Sequence, residues 1–320
     1  MTTAEARRAG PAKWRGKPGR LEVWYATLTD PATGDGWWLH HEVIAPTDGG
    51  APYGQGWLAR FREAGGAWFE RFGPAPSDGP ASGGGAWFAA AGAIVDDGRL
   101  TGVAGPWTWD LHYEDDAPPL YPFPRWAWER NALPGAQMVL APTASFAGRI
   151  EGPDGSVEFT DARGAVARIY GHGNAERWGW LHADLGGDDV LEVVAAVSRT
   201  SLLRRLPPVA MLRLRLGGHD WPGGPFPPVP GWQSEVRLGL PEWSVEVRRG
   251  RRRVRATVTI PADRAVVVPY DDPGGAGPTC TNSERADALV VLERRDGRGW
   301  MEERRWELAA TAHAEVGRRG

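Results

Sequence analysis

The chain has 320 residues, more than one hydrophobic core usually organises, so two domains are expected. A net charge of −3, with 42% hydrophobic and 24% charged residues, fits an ordinary globular protein and excludes a general attraction to nucleic acid or anionic lipid. A single cysteine, Cys280, excludes an intrachain disulfide framework and a cysteine-based zinc site, and no apolar run is long enough to span a bilayer, so a cytoplasmic protein is expected.

Residues 1–20 carry Arg7, Arg8, Lys13, Arg15, Lys17 and Arg20 without an apolar stretch, which reads as a solvated, flexible tail. From there the pattern is strand and turn. Leu21–Leu28, the turn Asp30–Gly36 and Trp37–Ile44 predict a hairpin. Leu58–Arg71 has room for one short helical turn, interrupted at Gly65-Gly66. Ala93–Val95 and Arg99–Thr101 form a second hairpin around Asp96-Asp-Gly98. In Trp107–Tyr113 the alternation is strict, with Trp107, Trp109, Leu111 and Tyr113 on one face and Thr108, Asp110 and His112 on the other. The segments 73–85 and 117–124 read as surface loops, and a soft boundary falls at Leu133-Pro-Gly135. Beyond it the strand rhythm restarts. A short helical segment is possible near Leu202–Leu206, and 217–230 reads as a long loop of the kind that often covers a binding site. Ser244–Arg248 and Arg253–Ile260 flank Gly250 as a third hairpin, and Asp287–Arg294 and Trp300–Leu308 close the chain as strands. With 44 Gly and 28 Pro spread between apolar segments, the chain is all-β with little helix, a sandwich or barrel architecture.

The most informative stretch is 172–184, His-Gly-Asn-Ala-Glu-Arg-Trp-Gly-Trp-Leu-His-Ala-Asp. As a strand it places Trp178, Trp180, His182 and Asp184 on one face, two large rings followed by two proton-transferring groups. The chain holds 18 Trp, a residue suited to cores and to ligand walls alike.

The block from Ala144 to Ser198 resembles the second half of the AttH-like and carotenoid 1,2-hydratase (hydroxyneurosporene synthase) superfamily. It is similar also to tocopherol cyclase and to lipocalin-like Diels–Alderases. The resemblance is carried by Ser145–Ile150, a glycine turn, Val157–Phe159, Arg168–Asn174 and Trp178-Gly-Trp180. It implies two consecutive lipocalin-like antiparallel β-barrels, divided as 21–135 and 136–320. His172 stands where that superfamily has its motif histidine, and Trp178 and Trp180 where it has its Trp pair. Gly171 replaces the acid that precedes the histidine in hydratases, and Asn174 replaces a Trp. The implied activity is cofactor-independent hydration, cyclisation or isomerisation of a hydrophobic isoprenoid or polyene in a Trp-lined pocket.

Such chemistry needs an apolar cavity to preorganise the chain, a group that gives or takes a proton, and aromatic faces for a developing cation. The candidate catalytic residues are His172, Glu176, His182 and Asp184, with Asp110, Glu42, His112 and His40 as further proton carriers. The candidate substrate-binding residues are Trp178, Trp180, Trp107, Trp109 and His40. His40 and Glu42 share a face but lack a third ligand nearby, so no metal is expected. Asp110 and His112 read as an exposed pair and Cys280 as a small buried hydrophobe. Two alternatives share this architecture: a binder that carries a hydrophobic small molecule without altering it, and a protein whose barrels are filled by their own side chains.

Overall fold

A computed structural model describes residues 2–77, 85–199, 203–297 and 299–320. Most of the loop expected at 73–85, and Leu202, lie outside the described residues. The first part of the chain forms helix α1 (Ala4–Ala9), strands β1 (Arg20–Thr29), β2 (Gly36–Ala45), β3 (Tyr53–Phe61), β4 (Ala67–Pro76), β5 (Phe88–Ala90), β6 (Ala93–Asp96), β7 (Arg99–Ala104) and β8 (Trp107–Glu114), helix α2 (Arg125–Arg130), and strands β9 (Gly135–Gly152) and β10 (Gly155–Gly171). Its ten strands make one antiparallel sheet in the order β4-β3-β2-β1-β10-β9-β8-β7-β6-β5. The sheet curls until its β4 edge comes back against its far half, where Trp68 of β4 stacks on Trp107 of β8 at 4.4 Å.

The second part forms β11 (Arg177–Gly186), β12 (Asp189–Val197), β13 (Val209–Leu216), β14 (His219–Trp221), β15 (Ser234–Arg237), β16 (Glu242–Arg249), β17 (Arg252–Thr259), β18 (Val266–Asp272), β19 (Gly275–Asp296) and β20 (Gly299–Arg318). They pair antiparallel as β14-β13-β12-β11-β20-β19-β17-β16-β15, with β18 laid along β19. The expected all-β architecture of two barrel-like antiparallel sheets is what the chain adopts.

Four expectations change. Leu58–Arg71 is not helical: it spans the β3–β4 hairpin, and Gly65 and Gly66, at φ 91° and 87°, make the turn that residues with a Cβ would resist. The boundary expected at residue 135 lies inside the first sheet. Proline and glycine there mark the turn from α2 into β9, but a turn signal does not say which sheet the next strand joins. Here β10 pairs along β1 from Leu21↔Gly171 to Thr29↔Arg163, and the chain passes to the second sheet through residues 172–176. The basic tail is not loose. Ala6, Ala12 and Trp14 are buried, and the Trp24 indole donates to the Gly10 carbonyl at 2.9 Å. The backbone N–H groups of Lys13 and Trp14 donate to the Glu22 carboxylate at 2.7 and 2.9 Å. Glu22 in turn pairs with Arg168, and both are fully buried. The segment thus plugs one end of the first barrel while Arg7, Arg8, Arg15 and Lys17 stay exposed. The loop of 217–230 also contains a short strand, β14, paired to β13.

Burial separates into three cores. Trp24, Leu28, Trp37, Leu39 and Phe146 fill the first barrel, and Leu181, Val193, Leu212, Val254 and Val290 fill the second. The third core lies between the barrels and contains Val23, Tyr25, Trp38, Trp178, Trp180, Val266 and Tyr270. Strands β1 and β2 therefore bury both faces, one inward and one against the other barrel. On β1, Trp24, Ala26 and Leu28 are therefore apolar on the inward face and Val23 and Tyr25 on the outward one.

Candidate active site between the barrels

Strand β11 alternates as expected. Leu181 and Ala183 point into the second barrel, while Trp178, Trp180 and His182 point out of it and into the cleft. Facing them across the cleft are Val23 and Tyr25 of β1 and Trp38, His40 and Glu42 of β2. Tyr270 of β18 and Glu315 of β20 complete the wall. These strands enclose a cavity of about 310 Å3 with a largely apolar lining, at the lower end of the range typical of small-molecule sites. Among the described residues each barrel has a buried cluster of its own side chains, and this cavity lies outside both, in the cleft.

Two polar clusters interrupt the apolar wall. In one, the Glu315 carboxyl accepts from the Trp178 indole at 2.6 Å, the Cys280 thiol at 3.3 Å and the Tyr270 hydroxyl at 3.4 Å. Burial pushes the Cys280 thiol and the Tyr270 phenol well up from their ordinary ranges, so both stay protonated as donors. Cys280 is then a buried donor and not a thiolate nucleophile. In the other cluster the Gln137 amide donates to the Tyr25 hydroxyl at 2.8 Å and also to Glu192. Glu192 accepts from the Trp180 indole at 2.6 Å and pairs with His182 Nδ1 at 2.9 Å. Burial, reinforced by Glu192, holds the Tyr25 phenol well above its ordinary range. Tyr25 is therefore a neutral hydroxyl on the cavity wall, its oxygen oriented by Gln137 and its ring packed edge-on to Trp180 at 5.5 Å.

A third cluster closes one side. His40 lies flat on Trp57, 3.9 Å between ring centres, and meets Glu42 at 3.2 Å, while Gln55 donates to Glu42 at 2.7 Å. Behind the cleft, His313 of β20 sits between Thr29, at 2.9 Å, and Glu284, at 2.8 Å. Burial drives His313 down to about 3 and Glu284 well up, so the pair is buried in its uncharged form.

The structure brings together only part of the expected site. Trp178, Trp180 and His40 line the cavity, and His182 stands behind Trp180 on Glu192. Trp107 and Trp109 share a face as expected, but that face fills the first barrel, where Trp109 packs against His41 and Phe72. His172 is half-buried in the inter-barrel connection, with Nδ1 3.2 Å from the Pro134 carbonyl, and does not line the cavity. Glu176, also in the connection, lies 3.6 Å from Arg204. Asp184 accepts the Gly186 N–H at 2.9 Å, closing a turn at the far end of β11. Asp110 and His112 are an exposed pair 3.8 Å apart. The connection itself is clamped by Asp272, which accepts two hydrogen bonds from Asn174 at 2.9 Å and one from Arg199 at 3.3 Å. Gly173, at φ 122°, fits under this clamp because a Cβ there would come within 2.9 Å of both Arg199 and Asp272.

Glu192, Glu315, Tyr25, Gln137 and Tyr270 are absent from the expected site. Glu192 had a signal: it is the one charge inside Val190-Leu-Glu-Val-Val194, an otherwise apolar strand, and a carboxylate there must find donors. Tyr25 and Gln137 had none, because the outer face of the first barrel becomes a binding wall only once the second barrel packs on it.

Paired barrel-like sheets with a cavity between them define the class of two-barrel lipocalin-like proteins. The sequence profile of the tocopherol cyclase-like family matches residues 88–318, and the chain belongs to that family. It is 48% identical over 316 residues to an uncharacterised protein of Mycobacterium tuberculosis strain H37Rv, covering 99% of this chain and 92% of that one. Among solved structures it resembles CghA in complex with Sch210972, with a TM-score of 0.60, 15% identity, and coverage of 93% of this chain and 87% of that chain. A putative AttH from Nitrosomonas europaea aligns with a TM-score of 0.56 and 14% identity over 93% and 92% of the two chains. Kievitone hydratase from Nectria haematococca aligns with a TM-score of 0.52 and 8% identity over 100% and 93%. At these identities the structures show a shared fold.

Proposed function

We propose that the protein is a cytoplasmic, cofactor-independent enzyme that hydrates, cyclises or isomerises a hydrophobic, isoprenoid or polyene-like molecule in the cleft between its barrels. The observation that carries this reading is the apolar cavity with Tyr25 and Glu315 on its wall among Trp178, Trp180 and Tyr270. Walls contributed by both barrels hold a flexible chain in one folded shape, which removes entropy from the barrier. The Tyr25 hydroxyl polarises an oxygen or an electron-rich double bond of the substrate by hydrogen bonding. The Glu315 carboxyl, within reach of the same space, gives or takes the proton that moves. The indole and phenol faces stabilise positive charge developing on the chain. The family is named for a cyclase, and one of the structural neighbours is a hydratase. Both reactions suit a dry cavity with one proton-transferring group.

The test is incubation of the purified protein with a cell lipid extract and with pure polyprenols, read by mass spectrometry and chromatography. A product of unchanged mass but new retention, or one heavier by a single water, lost in Tyr25→Phe and Glu315→Gln, is the expected result. A ligand that co-purifies in the cleft and stays unchanged after long incubation would reassign the protein as a carrier.

A further inference from the structure

The cations of the first twenty residues play no part in the cleft, yet the fold does not scatter them. Lys13, Arg15, Lys17 and Arg20 meet Arg130 and Asn131, at the end of α2, and Tyr170, Gly171 and His172, at the end of β10. Together with Leu133 they enclose a recess of about 360 Å3 that no acidic residue lines. The hydrogen bonds of Arg15 and Arg20 go to backbone carbonyls, those of Ala12, Trp14 and Gly19, so they place the side chains without neutralising them. The nearest carboxylates are committed elsewhere: Glu22 to the buried Arg168, and Glu129 to Arg125 at 2.8 Å. Lys13 packs over the Trp128 ring at 4.4 Å, and burial and Arg168 hold its ammonium down at about 8. Five cations gathered without an acid in a chain of net charge −3 are a local electrostatic choice.

The recess also adjoins the cavity. Leu133 and Gly171 line both spaces, so the basic recess lies directly beside that edge of the apolar cleft. We infer that the recess binds the phosphate or diphosphate head group of the same ligand whose apolar chain occupies the cleft. The inference rests on the proposed function for the apolar half and narrows its substrate class to isoprenoid or polyene phosphates. Arg15 and Arg130 supply forked donors that match phosphate oxygens, and Lys13, Lys17 and Arg20 supply further positive charge. His172, which the sequence motif singled out, then stands at the junction of head and chain, where it reads the anion.

The experiment compares farnesyl diphosphate, farnesol, inorganic diphosphate and phosphatidylglycerol vesicles as probes, by calorimetry and by quenching of tryptophan fluorescence. Arg15 and Arg130 are exposed, so the double variant Arg15→Gln/Arg130→Gln keeps its fold, which circular dichroism verifies. Farnesyl diphosphate is expected to bind on the order of tenfold or more tighter than farnesol. The double variant should remove that advantage and leave farnesol binding unchanged, and added salt should weaken only the diphosphate. Equal affinity of the two farnesyl probes for the wild type would overturn the inference. Vesicle capture without binding of monomeric farnesyl diphosphate would also overturn it, assigning the cations to a membrane surface. Inorganic diphosphate binding as tightly as farnesyl diphosphate, with no farnesol binding, would overturn the joint site and locate the failure in the reading of the cleft.

Discussion

Glu192 and His41 are both buried ionisable side chains, and their surroundings treat charge in opposite ways. Glu192 on β12 is met by donors from β9 and β11, the Gln137 amide, the Trp180 indole and the His182 ring, so its oxygens are partnered. That arrangement turns a buried carboxyl into the anchor of the cavity wall. His41 on β2 points into the first barrel, where Phe72, Phe88 and Trp109 surround it. Burial there, with His40 adding to it, drives its pKa down to about 3. The native state therefore refuses a proton that the unfolded chain accepts near 6.5. Stability is at its full value above that pH and falls as pH drops through the window between 6.5 and 3. Acidification from pH 7 to pH 5 should cost about 2 kcal/mol through this residue alone. In His41→Leu that contribution disappears, so urea titrations at the two pH values should show the variant gaining on the wild type by about that amount. A stability difference independent of pH would mean that His41 titrates in the folded protein as it does in the unfolded chain.

At the scale of elements, strands and hairpins were legible, while the partner that a buried outer face meets was not. β8 shows the expected alternation residue by residue, and the hairpins at Asp30–Gly36, Asp96–Gly98 and Gly250 fall where turn residues put them. On β11 the sharing of one face by Trp178, Trp180 and His182 was legible too. What that face opposes was not, since only the pairing of β1 with β10 and the docking of the second barrel decide it. The N-terminal segment misled for a related reason. Its charges announce a solvated tail, while what fixes it is backbone: the Gly10 carbonyl on the Trp24 indole, and the Lys13 and Trp14 amides on Glu22. Removing residues 2–14 would strip two donors from a fully buried ion pair and uncover Trp24 and Trp87. We expect a loss of about 3–5 kcal/mol in chemical denaturation, comparable to breaking a buried pair. A truncated protein that unfolds at the wild-type midpoint would show that the segment rests on the barrel without closing it.

At the scale of the whole molecule, the cleft is where the two barrels become one functional unit. Neither barrel has a cavity wall of its own: Tyr25, Trp38 and His40 come from the first sheet, and Trp178, Trp180, Tyr270 and Glu315 from the second. A ligand seated there contacts both and should stabilise both together. At a free concentration one hundred times its dissociation constant, a ligand that binds only the native state adds about 2.7 kcal/mol. For a chain of this length, with unfolding entropy near 2 cal/mol/K per residue, that raises the midpoint of thermal unfolding by about 4 °C. Calorimetry of the protein with a saturating polyprenol should show this rise. Hydrogen exchange should slow in β1 and β2 as well as in β11 and β18, because the same molecule braces strands of both sheets. Protection confined to strands of one sheet would place the ligand inside a barrel, and the cleft would then be a docking surface between two independent units.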